Sequence, residues 1–497
     1  MKRLYINSLL VLVLSLYCGY ETILGLYQFL GILRFNHSIF ALTGSFNNPG
    51  PYAGFLSVCI SLFIAYCFMN IDMFKQKRLL KVIFWLVAID GSISIIILSL
   101  TQSRSAMLAL GFSMALLFLK TKGFREGLRF LLKKNCLVLF VCVTLIGIGA
   151  YFFKKPSADG RLFMDKICVK AVLENGWKGT GLGKFGGAFG RAQADYFKER
   201  IEKKGAFDLD WSVINEKERM IAGCPDNAFN EYLFIGVETG PIVMLLVIGI
   251  VTTAVVISFK RGTIWFCGMV SFSVFAFFSY PLHVMQMRML FSIILGACLF
   301  DGKNSSNIGI IAVASVFFMI LTFLLVRKKP VFKQRKQINS SWMQTVRWHE
   351  NEYYEYVIES CEALFEYMKH DSNFLFSYGQ SLNKTGQYEK SDSILKMGTE
   401  ISSDPMFWNV MGNNSLALGR YREAEGRYKH AFYMVPNRLY PLNLLAKLYH
   451  AEGDTVRFLD MADNVELFVP KVESVNTERL RSEIRELKSC YISSFDK

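Results

Sequence analysis

Paired cysteines are missing from this chain. It holds eleven cysteines in 497 residues, but no C-x-x-C pair and no Cys/His spacing that would build a metal site. Cys18, Cys59, Cys67, Cys142, Cys267 and Cys298 fall inside apolar runs and read as small core hydrophobes. Cys168 and Cys224 share one long polar segment, where a bridge needs an oxidising compartment. Nucleotide-binding signatures are missing too. The glycine-dense stretch GWKGTGLGKFGGAF follows no strand-like segment and has neither Walker nor Rossmann spacing. It reads as a place where backbone approaches a bulky ligand or a neighbouring helix. Acids are scarce deep in the apolar runs. Only Asp90, in VAIDGSISIII, lies in the middle of one, and a lone deep carboxyl argues against a proton or ion relay.

What the sequence has in abundance is long apolar runs, nearly all before residue 327. About 17 or more apolar residues cover a hydrocarbon core of roughly 30 Å. Candidate spans are 4–33 (tilted or broken near Gly19), 52–70, 80–100, 105–119, 135–153, 239–258, 263–280, 287–300 and 307–326. The first resembles a signal peptide in its basic start, but it lacks a small-x-small cleavage site and apolar sequence resumes after Glu21, so it is expected to be retained. The expected fold is all-α. A polytopic transmembrane domain covers 1–326 with a large loop at 154–238, a linker follows at 327–345, and a soluble helical-repeat domain occupies 346–490.

The formal charge of +15 is explained by loops rather than by nucleic acid. Lys75, Lys77, Arg78 and Lys81 form one basic cluster. Lys120, Lys122, Arg125, Arg129, Lys133 and Lys134 form a second, and Lys260 with Arg261 a third. Short basic connections between spans mark the cytoplasmic side. With Met1 inside, alternation puts 71–79, 120–134, 259–262 and 301–306 inside as well. The loops 34–51, 101–104, 154–238 and 281–286, with everything after 326, then face outward. Arg327, Lys328 and Lys329 run against this threading, and a translocated domain overrides such a late cluster.

From about residue 346 the pattern becomes helical hairpins with a period near 34 residues. With Gly419 as a turn glycine, Trp408, Gly412, Tyr421, Ala424, Tyr428, Ala431 and Pro436 fall at tetratricopeptide positions. Gly379, Gly386 and Tyr388 match one period earlier, and Ala446, Tyr449 and Gly453 one period later. Such a stack is either a stabilising spacer or a groove for a protein partner.

Three outward segments bring charged or amide side chains beside apolar runs. Arg104, in LTQSRSAMLAL, has no acid within a helical turn. It either snorkels to a lipid headgroup or offers a two-pronged donor to phosphate oxygens. Arg161 follows an expected turn at 156–160 and could pair with Asp165 four residues on. Asp226, Asn227, Asn230, Glu231 and Glu238 gather at the entry to the next helix. Asp226 or Asn227 suits a helix cap, and carboxylates near arginines at a lipid boundary suit a general base.

Taken in order, GSFNNPGPYAGFL, LTQSRSAMLAL, an arginine followed by GTGLGKF, and FNEYLFIGVETG resemble the O-antigen ligase family of bacterial envelope glycosyltransferases. The resemblance runs from about residue 24 to about 300. It implies an enzyme of the inner membrane that needs no metal or other cofactor. The donor would be a lipid-linked oligosaccharide on undecaprenyl pyrophosphate, and the acceptor lipid-A core or protein at the periplasmic face. By motif match Arg104 and Arg161 would hold the pyrophosphate and Asn230 would line the site. Many members carry histidine where this chain has Phe229. Asp226 or Glu231 would then stand in as the base, with His37 and His283 ranked behind them. A polymerase that extends the glycan on its carrier, and a non-catalytic scaffold presenting the repeats, are the alternatives.

Overall fold

The computed structural model describes residues 2–34, 42–71, 78–120, 155–203, 206–207, 216–300 and 332–495. The expected spans 135–153 and 307–326 lie outside these residues. So do His37, Cys142 and the basic residues Lys75, Lys77, Lys122, Arg125, Arg129, Lys133, Lys134, Arg327, Lys328 and Lys329. The helices are α1 (Lys2–Phe29), α2 (Pro49–Met69), α3 (Arg78–Leu100), α4 (Arg104–Lys120), α5 (Lys155–Glu174), α6 (Phe185–Ile201), α7 (Glu216–Ile221), α8 (Glu231–Thr239), α9 (Pro241–Arg261), α10 (Trp265–Phe277) and α11 (Met285–Phe300). The tail adds α12 (Phe332–Glu350), α13 (Tyr354–Met368), α14 (Ser372–Lys384), α15 (Tyr388–Thr399), α16 (Met406–Ala417), α17 (Tyr421–Met434), α18 (Tyr440–Glu452), α19 (Thr455–Leu467) and α20 (Val475–Phe495). Apart from a two-residue antiparallel pairing of Glu202–Lys203 with Ala206–Phe207, the described residues form no sheet. Two compact units divide the chain. One takes Met1–Lys155, Phe229–Tyr232 and Val243–Lys328; the other takes Pro156–Ala228, Leu233–Ile242 and Lys329–Lys497.

Among the described residues four helices, α1, α2, α3 and α9, are long and apolar enough to cross a membrane. Among the described residues the apolar window of α2 is 78% buried and that of α9 17%, so α2 is the more enclosed of the two. The sequence of α2 explains its place. It carries no charge, Asn48 Oδ1 accepts the Gly50 N–H at its start, and Pro49 sits in the first turn, where a missing N–H costs nothing. Small residues then let its neighbours close in. A Cβ on Gly54 would stand 2.3 Å from the Phe275 ring, and one on Gly268 would stand 2.7 Å from Leu62. Asp90 takes a hydroxyl hydrogen from Ser15 at 2.9 Å, which ties α3 to α1 and satisfies the deep carboxyl. It is a helix-to-helix contact.

Several boundaries differ from expectation. α1 runs unbroken through Gly19, which lies beside the Asp90 carboxyl. The expected span 239–258 is interrupted at Gly240, whose φ of +88° ends α8 before Pro241 opens α9. In place of the 263–280 span stands a helix of 13 residues, α10. At 1.5 Å per residue that is about 20 Å, short of a hydrocarbon core.

In the second unit α5 already begins at Lys155, so no turn forms over 156–160; Pro156 sits in the first helical turn, where it is tolerated. Cys168 and Cys224 are free thiols. Cys168 packs in the core with Phe163 and Ile167, while Cys224 Sγ lies 3.3 Å from an Arg438 nitrogen that donates to it. Three glycines of α6 make room for neighbouring segments, and two of them, Gly186 and Gly187, belong to the glycine-dense stretch. A Cβ on Gly186 would stand 2.5 Å from the Ile401 carbonyl oxygen, and one on Gly187 would stand 2.3 Å from that of Glu400. Gly190 would meet Met434 at 2.7 Å. The glycines serve packing between protein segments. Each helix from α12 to α20 packs on the next. Gly386, Gly419 and Gly453 turn the chain between helices with φ of +81°, +72° and +80°. These glycines lie 33 and 34 residues apart (419 − 386 and 453 − 419).

Candidate active site

The first unit contains most of the polar cluster of interest. Its floor is the segment 42–48, which α1 grips from two positions. Gln28 Oε1 accepts the N–H groups of Thr43 and Gly44 at 3.0 and 2.8 Å, and Gln28 Nε2 donates to the Gly44 carbonyl at 2.9 Å. Glu21, fully buried, accepts from Ser45 twice: from N–H at 2.9 Å and from Oγ–H at 2.5 Å. Gln286 Nε2 approaches the same Ser45 hydroxyl at 3.5 Å. Glu21 did not stand out in the sequence. It only interrupts an apolar run, and its partner lies 24 residues away; buried inside α1, it is a second deep carboxyl and corrects the expectation that Asp90 stands alone.

The second part is the entry to α8. Asn230 and Glu231 are each 3% exposed. Glu231 Oε2 accepts the Leu282 N–H at 2.9 Å, and its Oε1 lies 3.5 Å from His283 Nδ1. Tyr232 donates its hydroxyl to the Ser273 carbonyl at 3.2 Å, which ties the chain at Glu231 and Tyr232 to α10. The Phe229 ring meets Tyr280 edge-on with centroids 5.5 Å apart, and Tyr280 meets His283 at 6.2 Å. One turn into α11, Arg288 Nε is buried and finds no hydrogen-bond partner among the described residues. Arg288 is absent from the sequence-based candidates, although a charge inside the first turn of an apolar run was signal enough.

Arg104 is the first residue of α4 and is half-buried. The turn before it is tight, with Gln102 at φ +52°, a left-handed conformation uncommon outside glycine. Ser57 on α2 donates to the Ala106 carbonyl at 2.8 Å, which holds the start of α4 in register.

The remaining candidates belong to the second unit. Arg161 and Asp165 are half-buried on α5. Asp226 is exposed and lies five residues ahead of the first residue of α8 (231 − 226), so neither it nor Asn227 caps that helix. The residue before the helix is Asn230. Glu238 has a role of its own in the second unit. Its Oε1 accepts the N–H groups of Gly183 at 2.8 Å and Phe185 at 3.3 Å, neutralising the start of α6.

Residues 91–248 match the O-antigen ligase family model. The matched stretch contains Arg104, Arg161, Asp226, Asn230 and Glu231 and supports the O-antigen ligase family. It indicates a membrane glycan enzyme of the ligase or polymerase type. No curated protein matches the chain. Among the described residues no three His, Cys, Asp or Glu side chains gather as metal ligands would.

Proposed function

We propose that the chain transfers a glycan from undecaprenyl pyrophosphate to lipid-A core or protein at the periplasmic face of a bacterial inner membrane. The observation that carries this reading is the family match over 91–248, with Arg104, Arg161 and Asn230 all inside it. The transfer is an inverting displacement that draws on no metal or other cofactor. An acceptor oxygen attacks the anomeric carbon while the pyrophosphate leaves with the bonding pair. Such a step needs fixed positive charge on the leaving group and a base on the acceptor hydroxyl. Arg104 opens a helix, so its guanidinium adds to the positive end of the helix dipole, a combination suited to phosphate oxygens. Arg161 takes the second pyrophosphate contact, and Asn230, buried beside Glu231, lines the site. The carboxylates Asp226 and Glu231 divide on environment. Asp226 is exposed, whereas Glu231 is buried with both oxygens engaged, which suits Glu231 to orienting a neighbour.

The tail completes the reading as tetratricopeptide-type repeats that present a groove to a protein partner. In support, Gly379 and Gly412 lie 33 residues apart (412 − 379) and make room for Leu395 and Tyr428, at 2.5 and 2.3 Å from a notional Cβ. Glycan profiling of a deletion strain tests the function. Loss of capped lipid-A core or of protein glycans, with lipid-linked precursor accumulating, is the expected result. Loss of long chains alone would move the assignment to a polymerase.

A further inference from the structure

We propose that His283, oriented by Glu231, is the base that deprotonates the acceptor hydroxyl, and that it replaces the histidine lost at Phe229. The assignment rests on the glycan-transfer reading above. Glu231 cannot reach solvent, and its carboxylate is spent on two neighbours of one turn: the Leu282 N–H at 2.9 Å and His283 Nδ1 at 3.5 Å. The backbone contact fixes where the carboxylate sits, so its second oxygen is aimed at the imidazole. A carboxylate at Nδ1 selects the tautomer with hydrogen on that nitrogen, which makes Nε2 the basic one. The His283 side chain is 30% exposed, enough to meet an acceptor. The separation of 3.5 Å is long for a hydrogen bond, and catalytic contacts of this kind tighten when substrate binds. The position matters as much as the pair. Phe229 touches Tyr280 and Tyr280 touches His283, so the imidazole lies one aromatic ring away from the motif position that lacks it.

In the step itself the acceptor O–H proton passes to His283 Nε2. The acceptor oxygen bonds to the anomeric carbon, whose bond to the pyrophosphate oxygen breaks. The electron pair departs on undecaprenyl pyrophosphate. The imidazolium, stabilised by the Glu231 carboxylate, then returns its proton to water. His283 is the catalytic residue; Glu231 is a positioning residue.

The purified full chain, given undecaprenyl pyrophosphate-linked glycan and acceptor, provides the test. His283→Ala and His283→Gln are expected to unfold at the parental temperature and to lose transfer by on the order of 100-fold or more. Imidazole added to His283→Ala is expected to restore part of the rate. Glu231→Gln keeps an acceptor for the Leu282 N–H and is expected to lower kcat while leaving the donor KM unchanged. Parental turnover in His283→Ala, a loss that imidazole does not restore, or a loss that follows Asp226→Asn instead would overturn the assignment. A parental protein that transfers to no acceptor would bring down the glycan-transfer reading itself, and this base assignment with it.

Discussion

Ser271 donates its hydroxyl hydrogen to Ser57 across 2.9 Å, because the single hydrogen of Ser57 is already committed to the Ala106 carbonyl at 2.8 Å. The relay joins α10, α2 and α4, and it ends two residues beyond Arg104 (106 − 104). Removing Ser57 therefore breaks two hydrogen bonds, and removing Ser271 breaks one. Such bonds between membrane helices contribute about 0.6 kcal/mol each. Thermal unfolding of purified variants should place Ser57→Ala below Ser271→Ala, and both below the parent. The reverse order would show that the relay does not run this way.

Gly187 tests the packing of the second unit. A methyl group there would stand 2.3 Å from the Glu400 carbonyl oxygen, and the obstacle is backbone rather than a side chain that can swing aside. Gly187→Ala is expected to destabilise that unit by about 1–3 kcal/mol, the usual range for overpacking. Limited proteolysis should cut within residues 185–203 and 399–403 sooner than in the parent. Unchanged protection would mean that α6 can shift at no cost.

How much of this was legible in the sequence depends on distance along the chain. The apolar runs announced α1, α2, α3 and α9, because spanning length is a local property. Asp90 stood out as a deep acid, but its partner Ser15 lies 75 residues away. Glu231 was singled out and His283 was ranked behind Asp226, since nothing local shows that a residue 51 positions on supplies the N–H that fixes Glu231. The mistaken cap at Asp226 has a similar cause. Ala228, Phe229 and Asn230 carry no periodic cue, so the true start of α8 at Glu231 was hidden.

His430 makes the tail sensitive to acid. Burial, followed by the positive charges of Lys198 and Arg191, holds its imidazole down at about 4 instead of the ordinary 6.5. The folded state thus binds the proton more weakly than the unfolded chain. Stability is complete above about pH 6.5 and is lost as pH falls towards 4, by about 3 kcal/mol at the acid end. Unfolding temperatures at pH 7.5 and 4.5 should differ less in His430→Gln than in the parent. That variant also gives up the ring contact with Trp408 at 4.1 Å, so the comparison is of slopes with pH, not of absolute values.

The proposed topology puts Arg104, the loop 154–238 and the repeats on the periplasmic side, in line with the basic loops. Reporter fusions at Lys122, Arg200 and Arg420 should read cytoplasmic, periplasmic and periplasmic. A cytoplasmic reading at Arg420 would remove the tail from the reaction.

The most direct measurement is transfer in vitro by the purified chain, with Arg104 as the variable. A guanidinium places two parallel donors on phosphate oxygens, and an ammonium offers only a point charge. The parent should move glycan from undecaprenyl pyrophosphate to its acceptor, and Arg104→Lys should lose nearly as much activity as Arg104→Ala. Full activity in Arg104→Ala, at parental expression, would contradict the pyrophosphate role and with it the reading of this chain as a glycan transferase that works through that residue.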